Sequence, residues 1–167
     1  MKLIAYPMAL LMGFLVLTSF QIKENSLSSL TLAASNKTAL SGKDVCIVVS
    51  GKDFNKILSM QYFMKCSIQK LKFNRIDGMN LAGLSAANFG AHATEQGILT
   101  FAWFDANIRG ISVPDGTSIY QVCYDVLGKA GEKAYFQFTN HPTIVEISDT
   151  NGNFLDLNST NGLIKIQ

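Results

Sequence analysis

Residues 97–128 read GILTFAWFDANIRGISVPDGTSIYQVCYDVLG, and they constrain the fold more than any other part of the chain. Two apolar-rich runs, 98–104 and 118–127, flank a loop carrying Gly110, Pro114, Asp115 and Gly116. In the first, Leu99, Phe101 and Trp103 alternate with Ile98, Thr100 and Ala102; in the second, Val122, Tyr124 and Val126 alternate with Gln121, Cys123 and Asp125. Period-two alternation of aromatic and β-branched residues is the signature of a half-buried strand. Two such strands place their large side chains on a common inner face, so an all-β core is expected here.

The rest of the chain keeps this pattern. Strands are predicted at 30–34, 44–50, 57–65, 71–76, 134–139, 143–148, 154–157 and 163–166. Val45, Ile47 and Val49 share one face of the second of these, and Met60, Tyr62 and Met64 share one face of the third. The stretch 80–90 lacks strand periodicity and is the one place where a helical turn is expected. Asn151-Gly152 is a hairpin signal, and Asn161-Gly162 is a second turn. No window holds apolar residues at i, i+3, i+4 and i+7 for three turns, which excludes a helix-rich fold. Short strands separated by turns suit a β-sandwich or jelly roll.

The first twenty residues have a different character. Lys2 precedes an uncharged apolar stretch from Leu3 to Phe20, the secretory pattern. Residues 1–20 are therefore expected to be a signal peptide or a retained anchor, since about 18 apolar residues just span a bilayer core. Residues 21–29 read as a polar linker, and 30–167 as one domain. The protein is expected to be secreted or held at the cell surface, with membrane contact only through this segment. The net charge of +2 is nearly neutral. Lys65, Lys70, Lys72 and Arg75 form the only local basic cluster and read as the wet face of a strand, so nucleic-acid binding is excluded.

The chemistry-bearing residues point away from catalysis. Asp149-Thr150-Asn151-Gly152-Asn153 imitates the start of a calcium loop, but Phe154 and Thr160 stand where the loop needs glycine and an acid, so it reads as a hairpin turn. His92 and His141 lie in turn-like stretches with no nucleophile context. Asp105 follows a strand and reads as a turn former, with a cleft-facing acid as its rival role. No enzyme, cofactor or metal site is expected. Three cysteines, Cys46, Cys66 and Cys123, leave at least one thiol outside any disulfide within the chain. A Cys46–Cys123 bond and small hydrophobic thiols near the core both remain open. Trp103, Phe104, Tyr120, Tyr124, Tyr135, Phe136 and Phe138 could stack on sugars, but most fit a core. Phe104 and Tyr120 are assigned to the outward side, opposite Trp103 and Tyr124. The outward residues Thr100, Phe104 and Gln121 are the candidate ligand-binding face.

Five segments in succession resemble the cohesin family, especially divergent cohesin-like modules of secreted bacterial proteins: SGKDVCIVVSGKDFNKILSMQYFM, NLAGLSAANFG, GILTFAWFD, ISVPDGTSIYQVCYDVLG and EISDTNGNFLDLNSTNGLIKI. Their order follows the family from about Leu30 to Ile166. The resemblance implies a nine-stranded jelly-roll sandwich related to some cellulose-binding modules. It also implies that one outer sheet face binds a protein partner, a dockerin in cellulosomal members. The alternative partner is a polysaccharide bound directly. One departure stands out: Lys65-Cys66-Ser67 replaces the Trp-Asp or Tyr-Asp and proline that follow this strand in the family.

Overall fold

A computed structural model describes residues 29–167. The expected signal segment and all but the last residue of the expected linker lie outside the described residues; Ser29 already opens the first strand. No described helix is long and apolar enough to cross a membrane.

Twelve strands are described, more than the nine expected. They are β1 (Ser29–Ala34), β2 (Lys37–Ala39), β3 (Asp44–Lys52), β4 (Ile57–Cys66), β5 (Leu71–Asp77), β6 (Phe89–Gly90), β7 (Ile98–Phe104), β8 (Thr117–Val126), β9 (Lys133–Thr139), β10 (Glu146–Asp149), β11 (Asp156–Thr160) and β12 (Gly162–Ile166). The surplus comes from short pieces, β2 and β6 above all. Two sheets pack face to face. Sheet A runs β11-β1-β3-β8-β5, and sheet B runs β2-β12-β9-β4-β7-β6, with β10 also on β4. The pairings are antiparallel except β1 with β11 and β2 with β12. The expected strand at 143–148 begins only at Glu146, and the return strand expected at 154–157 is displaced to Asp156–Thr160. In the 80–90 stretch the helical turn is one 3-10 turn at Ala86–Asn88, but that stretch is not the one place for such a turn, since a second forms at Thr94–Gln96.

Alternation decides which side chains enter the core. Val45, Ile47 and Val49 of β3, Met60, Tyr62 and Met64 of β4, and Leu99, Phe101 and Trp103 of β7 are buried between the sheets. Their aromatic rings bridge the two sheets: Phe101 stacks on Tyr62 with ring centroids 4.7 Å apart and on Tyr120 at 5.4 Å, and Phe89 meets both Phe101 and Tyr120 edge-on. Offset and edge-on rings are the favoured geometries. At their centre the Tyr62 hydroxyl lies 2.8 Å from that of Tyr120, which lies 3.1 Å from Met64 Sδ. Burial raises both phenols above the ordinary tyrosine range.

Tyr120 corrects its assignment to the outer side. It stands four residues from Tyr124, so it shares that residue's parity, and it is fully buried. The register between β3 and β8 shifts where Val49 pairs Tyr120 and Ser50 pairs Ser118. Ile119 is the extra residue of this bulge, and it too is buried.

The loop joining β7 to β8 carries the chain from sheet B to sheet A. It is pinned to the β3–β4 turn: Val113 N–H donates to Phe54 O, Gly116 N–H donates to Gly51 O, and Asp53 N–H donates to the Asp115 carboxylate. The turn region therefore fixes where β7 ends and which way its last side chains face.

Candidate functional site

The two outer faces of the sandwich differ in chemistry. On sheet A, Asp44 pairs with Asp125, and Cys46 with Cys123, across β3 and β8. Arg75 of β5 lies 3.5 Å from the Asp44 carboxylate and 3.6 Å from that of Asp77, while Asn74 Nδ2 donates to Asp125 at 2.7 Å. Cys46 and Cys123 are joined by a disulfide, with Cα atoms 4.0 Å apart. The polar groups of this face largely satisfy one another, and a covalent bond holds its two central strands.

Sheet B presents a different surface. Its outward residues include Phe104, Ala102 and Thr100 on β7, and Ser59, Gln61 and Phe63 on β4, matched as Ser59 with Phe104, Gln61 with Ala102, and Phe63 with Thr100. Phe104 is 66% exposed, and it stands at the rim of a cleft rather than alone. Beside it lies an open cleft of about 290 Å³, floored by Met60 and Trp103 and walled by Phe104, Asn88, Gln61 and Glu146. The cleft walls are braced. Gln61 Nε2 donates to Glu146 at 2.9 Å, the Ser59 and Ser148 hydroxyls meet at 2.7 Å, and Asn88 Nδ2 donates to Ala102 O at 2.9 Å. Behind it, Trp103 Nε1 donates to Ala82 O and so ties the 80–84 loop to β7.

The turn that follows β7 extends this apolar edge. The Asp105 carboxylate accepts N–H bonds from Asn107, Arg109 and Gly110 at 2.9–3.0 Å, the Asn107 bond being the largest of the influences that hold its pKa below the usual carboxylate range. These bonds hold the turn with Ile108 at positive φ (54°) and 74% exposed. A β-branched residue in the left-handed region is strained. Asp105 is thus a buried turn anchor, both of whose oxygens accept from backbone N–H groups of its own turn. Asp149 plays the same part in the hairpin at Asn151-Gly152. It accepts N–H bonds from Asn151 and Asn153, and the Asn153 side chain contributes most to lowering its pKa.

Of the three residues assigned to one ligand face, Phe104 and Thr100 belong to sheet B and Gln121 to sheet A. β7 and β8 are in opposite layers, so their outward sides point in opposite directions and the three residues do not form one surface. Phe104 is open. Thr100 is half-buried beside β6, where a Cβ on Gly90 would overlap its hydroxyl oxygen. Gln121 is packed against Gly78. The aromatic platform is also reduced, because Tyr120, Tyr124, Phe136 and Trp103 are core residues. Phe63 and Gln61, which the sequence reading passed over, belong to the sheet B face; the signal was their odd-numbered parity opposite Met60, Tyr62 and Met64. His92 and His141 are exposed in separate loops. Burial pushes the remaining thiol, Cys66, up to about 11. Among the described residues no group of three His, Cys, Asp or Glu side chains is placed to hold a metal ion.

No protein-family model matches the chain. No curated protein matches it either. Solved structures do. The seventh ScaB type I cohesin from Pseudobacteroides cellulosolvens superposes with a TM-score of 0.70 at 15% identity, covering 84% of this chain and 94% of that one. The cohesin–dockerin complex Coh-OlpA–Doc918 from Clostridium thermocellum matches with a TM-score of 0.70 at 14% identity, covering 84% and 100%. A non-cellulosomal cohesin from the archaeon Archaeoglobus fulgidus matches with a TM-score of 0.65 at 20% identity, covering 84% and 92%. The chain therefore has the cohesin fold, as the succession of its strand segments implies.

Proposed function

We propose that this chain is an exported, non-catalytic binding module that holds a protein partner of the dockerin type on the outer face of sheet B. The observation that carries the reading is the contrast between the two faces: sheet A is covalently tied and its Arg75 is engaged by Asp44 and Asp77, whereas sheet B leaves Phe104 uncovered beside a braced cleft. A flat sheet with an apolar anchor and a polar surround has the anatomy of a protein interface. Several solved neighbours of the same fold are complexes with dockerins, which supports a protein as the occupant. The Cys46–Cys123 disulfide supports an oxidising compartment and so the exported reading.

The test uses the whole chain immobilised against the secreted proteins of its own source, with retained proteins identified by mass spectrometry. Capture of a dockerin-bearing protein is expected, lost in Phe104→Asp/Phe63→Gln and kept in Arg75→Gln on sheet A. Retention of no protein, or loss on the sheet A substitution alone, would overturn the assignment. Retention of a polysaccharide instead would move it to direct carbohydrate binding.

A further inference from the structure

The end of the sandwich remote from Phe104 carries a second surface, part of it the outer side of β9 and β12 in sheet B, beyond the Cys66 end of β4. The turn at 40–43 and the segment after β8 lie side by side there. Gly42 N–H donates to Val126 O at 2.9 Å, Val126 N–H to Lys43 O at 2.8 Å, and Leu127 N–H to Lys70 O at 2.8 Å. These adjoining turns leave Leu40 and Leu127 each 55% exposed. Exposed lysines lie on the adjoining segments, Lys43 and Lys129 in the turns and Lys133 and Lys165 on β9 and β12. Hydrogen bonds from Ser41 N–H to Gln167 O and from Gly131 N–H to Ile166 O bring these segments to the same end. The exposed Asp44 beside Lys43 is paired with Arg75.

Lys133 and Lys165 are direct cross-strand partners. Like charges opposite each other in a sheet are unfavourable, and neither lysine has an ion pair among the described residues. The neighbouring carboxylate, Glu132, is engaged by Lys70 at 3.5 Å and by the Lys129 N–H at 2.8 Å. The two leucines are thus more than half exposed, and Lys133 and Lys165 are in no ion pair among the described residues.

We propose that this end of the domain docks on an anionic lipid surface, with Leu40 and Leu127 entering the headgroup boundary and the lysines facing lipid phosphates. Charge complementarity selects an anionic partner. The paired leucines select a bilayer over a soluble polyanion, which offers no apolar phase to receive them.

The test is co-sedimentation of the full chain with vesicles of equimolar phosphatidylglycerol and phosphatidylcholine, and with phosphatidylcholine alone. Any insertion by residues 1–20 is common to every variant. Stronger binding to the anionic vesicles is expected, weakening with added salt. Lys133→Gln/Lys165→Gln is expected to lower the partition coefficient about twenty-five-fold, about fivefold per lysine. Leu40→Ser/Leu127→Ser is expected to lower it about tenfold or more with all charges kept. Both substitution sites are exposed, and unchanged Trp103 fluorescence checks that the variants fold. Equal binding to both vesicle types, or wild-type binding by either variant, would overturn the proposal. So would retention on heparin without vesicle binding, which would identify a soluble polyanion as the ligand.

Discussion

The buried hydroxyl chain through Tyr62, Tyr120 and Met64 offers a sharp test of how the two sheets are held together. Tyr62 comes from sheet B and Tyr120 from sheet A, so their 2.8 Å contact crosses the core. Tyr120 donates to Met64 Sδ; the Tyr62 proton is then left to donate to the Tyr120 oxygen. Directionality makes the two phenylalanine substitutions unequal. Tyr62→Phe removes one bond but leaves Tyr120 its sulfur acceptor, a loss of about 0.5–1.5 kcal/mol. Tyr120→Phe leaves the Tyr62 hydroxyl buried with no partner, costing about 1–3 kcal/mol. In the double variant that orphan is gone, so Tyr62→Phe made in the Tyr120→Phe background is expected to be neutral or stabilising. The cycle therefore closes with a coupling energy of about 1–2 kcal/mol. Urea denaturation followed by the fluorescence of Trp103, the one tryptophan, supplies all four stabilities. Additive single effects, or a Tyr120→Phe no costlier than Tyr62→Phe, would refute the reasoning.

Two further outcomes follow from the turns and the disulfide. Replacing Cys46 and Cys123 with alanine opens a link spanning 77 residues; the chain-entropy relation puts the loss at about 4.5 kcal/mol, readable as a lowered urea midpoint without loss of the β-sheet circular dichroism spectrum. Asp105 and Asp149 have folded pKa values below the ordinary carboxylate range, so their stabilising contribution is present above about pH 4 and disappears as pH falls through the lowered values. Asp105→Asn is then expected to lower the urea midpoint at neutral pH and to converge with wild type in strong acid; a gap that stays constant with pH would show that the carboxylate charge is not what holds the turn.

Much of the fold was legible because burial writes itself into a strand at period two. Leu99, Phe101 and Trp103 could be assigned to the core from spacing alone. The same arithmetic puts Phe63 outward, between Tyr62 and Met64, and Tyr120 inward, an even four residues from Tyr124; the outward assignment of Tyr120 broke that rule and is corrected by its burial. The bulge at Ile119 was not legible, since a register shift is decided by what the partner strand offers. Nor could local sequence reveal that β9 and β10 both line the same edge of β4, one along Phe63–Cys66 and the other along Ile57–Gln61.

The sequence by itself determined the alternation of each strand, the turn role of Asp105 and the Asn151-Gly152 hairpin, because these depend on neighbours a few residues away. Tertiary structure alone decided which layer each strand enters. Thr100, Phe104 and Gln121 all face away from the core, yet pairing puts β7 beside β4 and β8 beside β3. The outward directions of the two layers are opposite, so side-chain parity fixes inside and outside while only long-range hydrogen bonding fixes which outside. That choice makes the Phe104 face of sheet B the candidate interface and leaves Gln121 on the disulfide-tied face behind it.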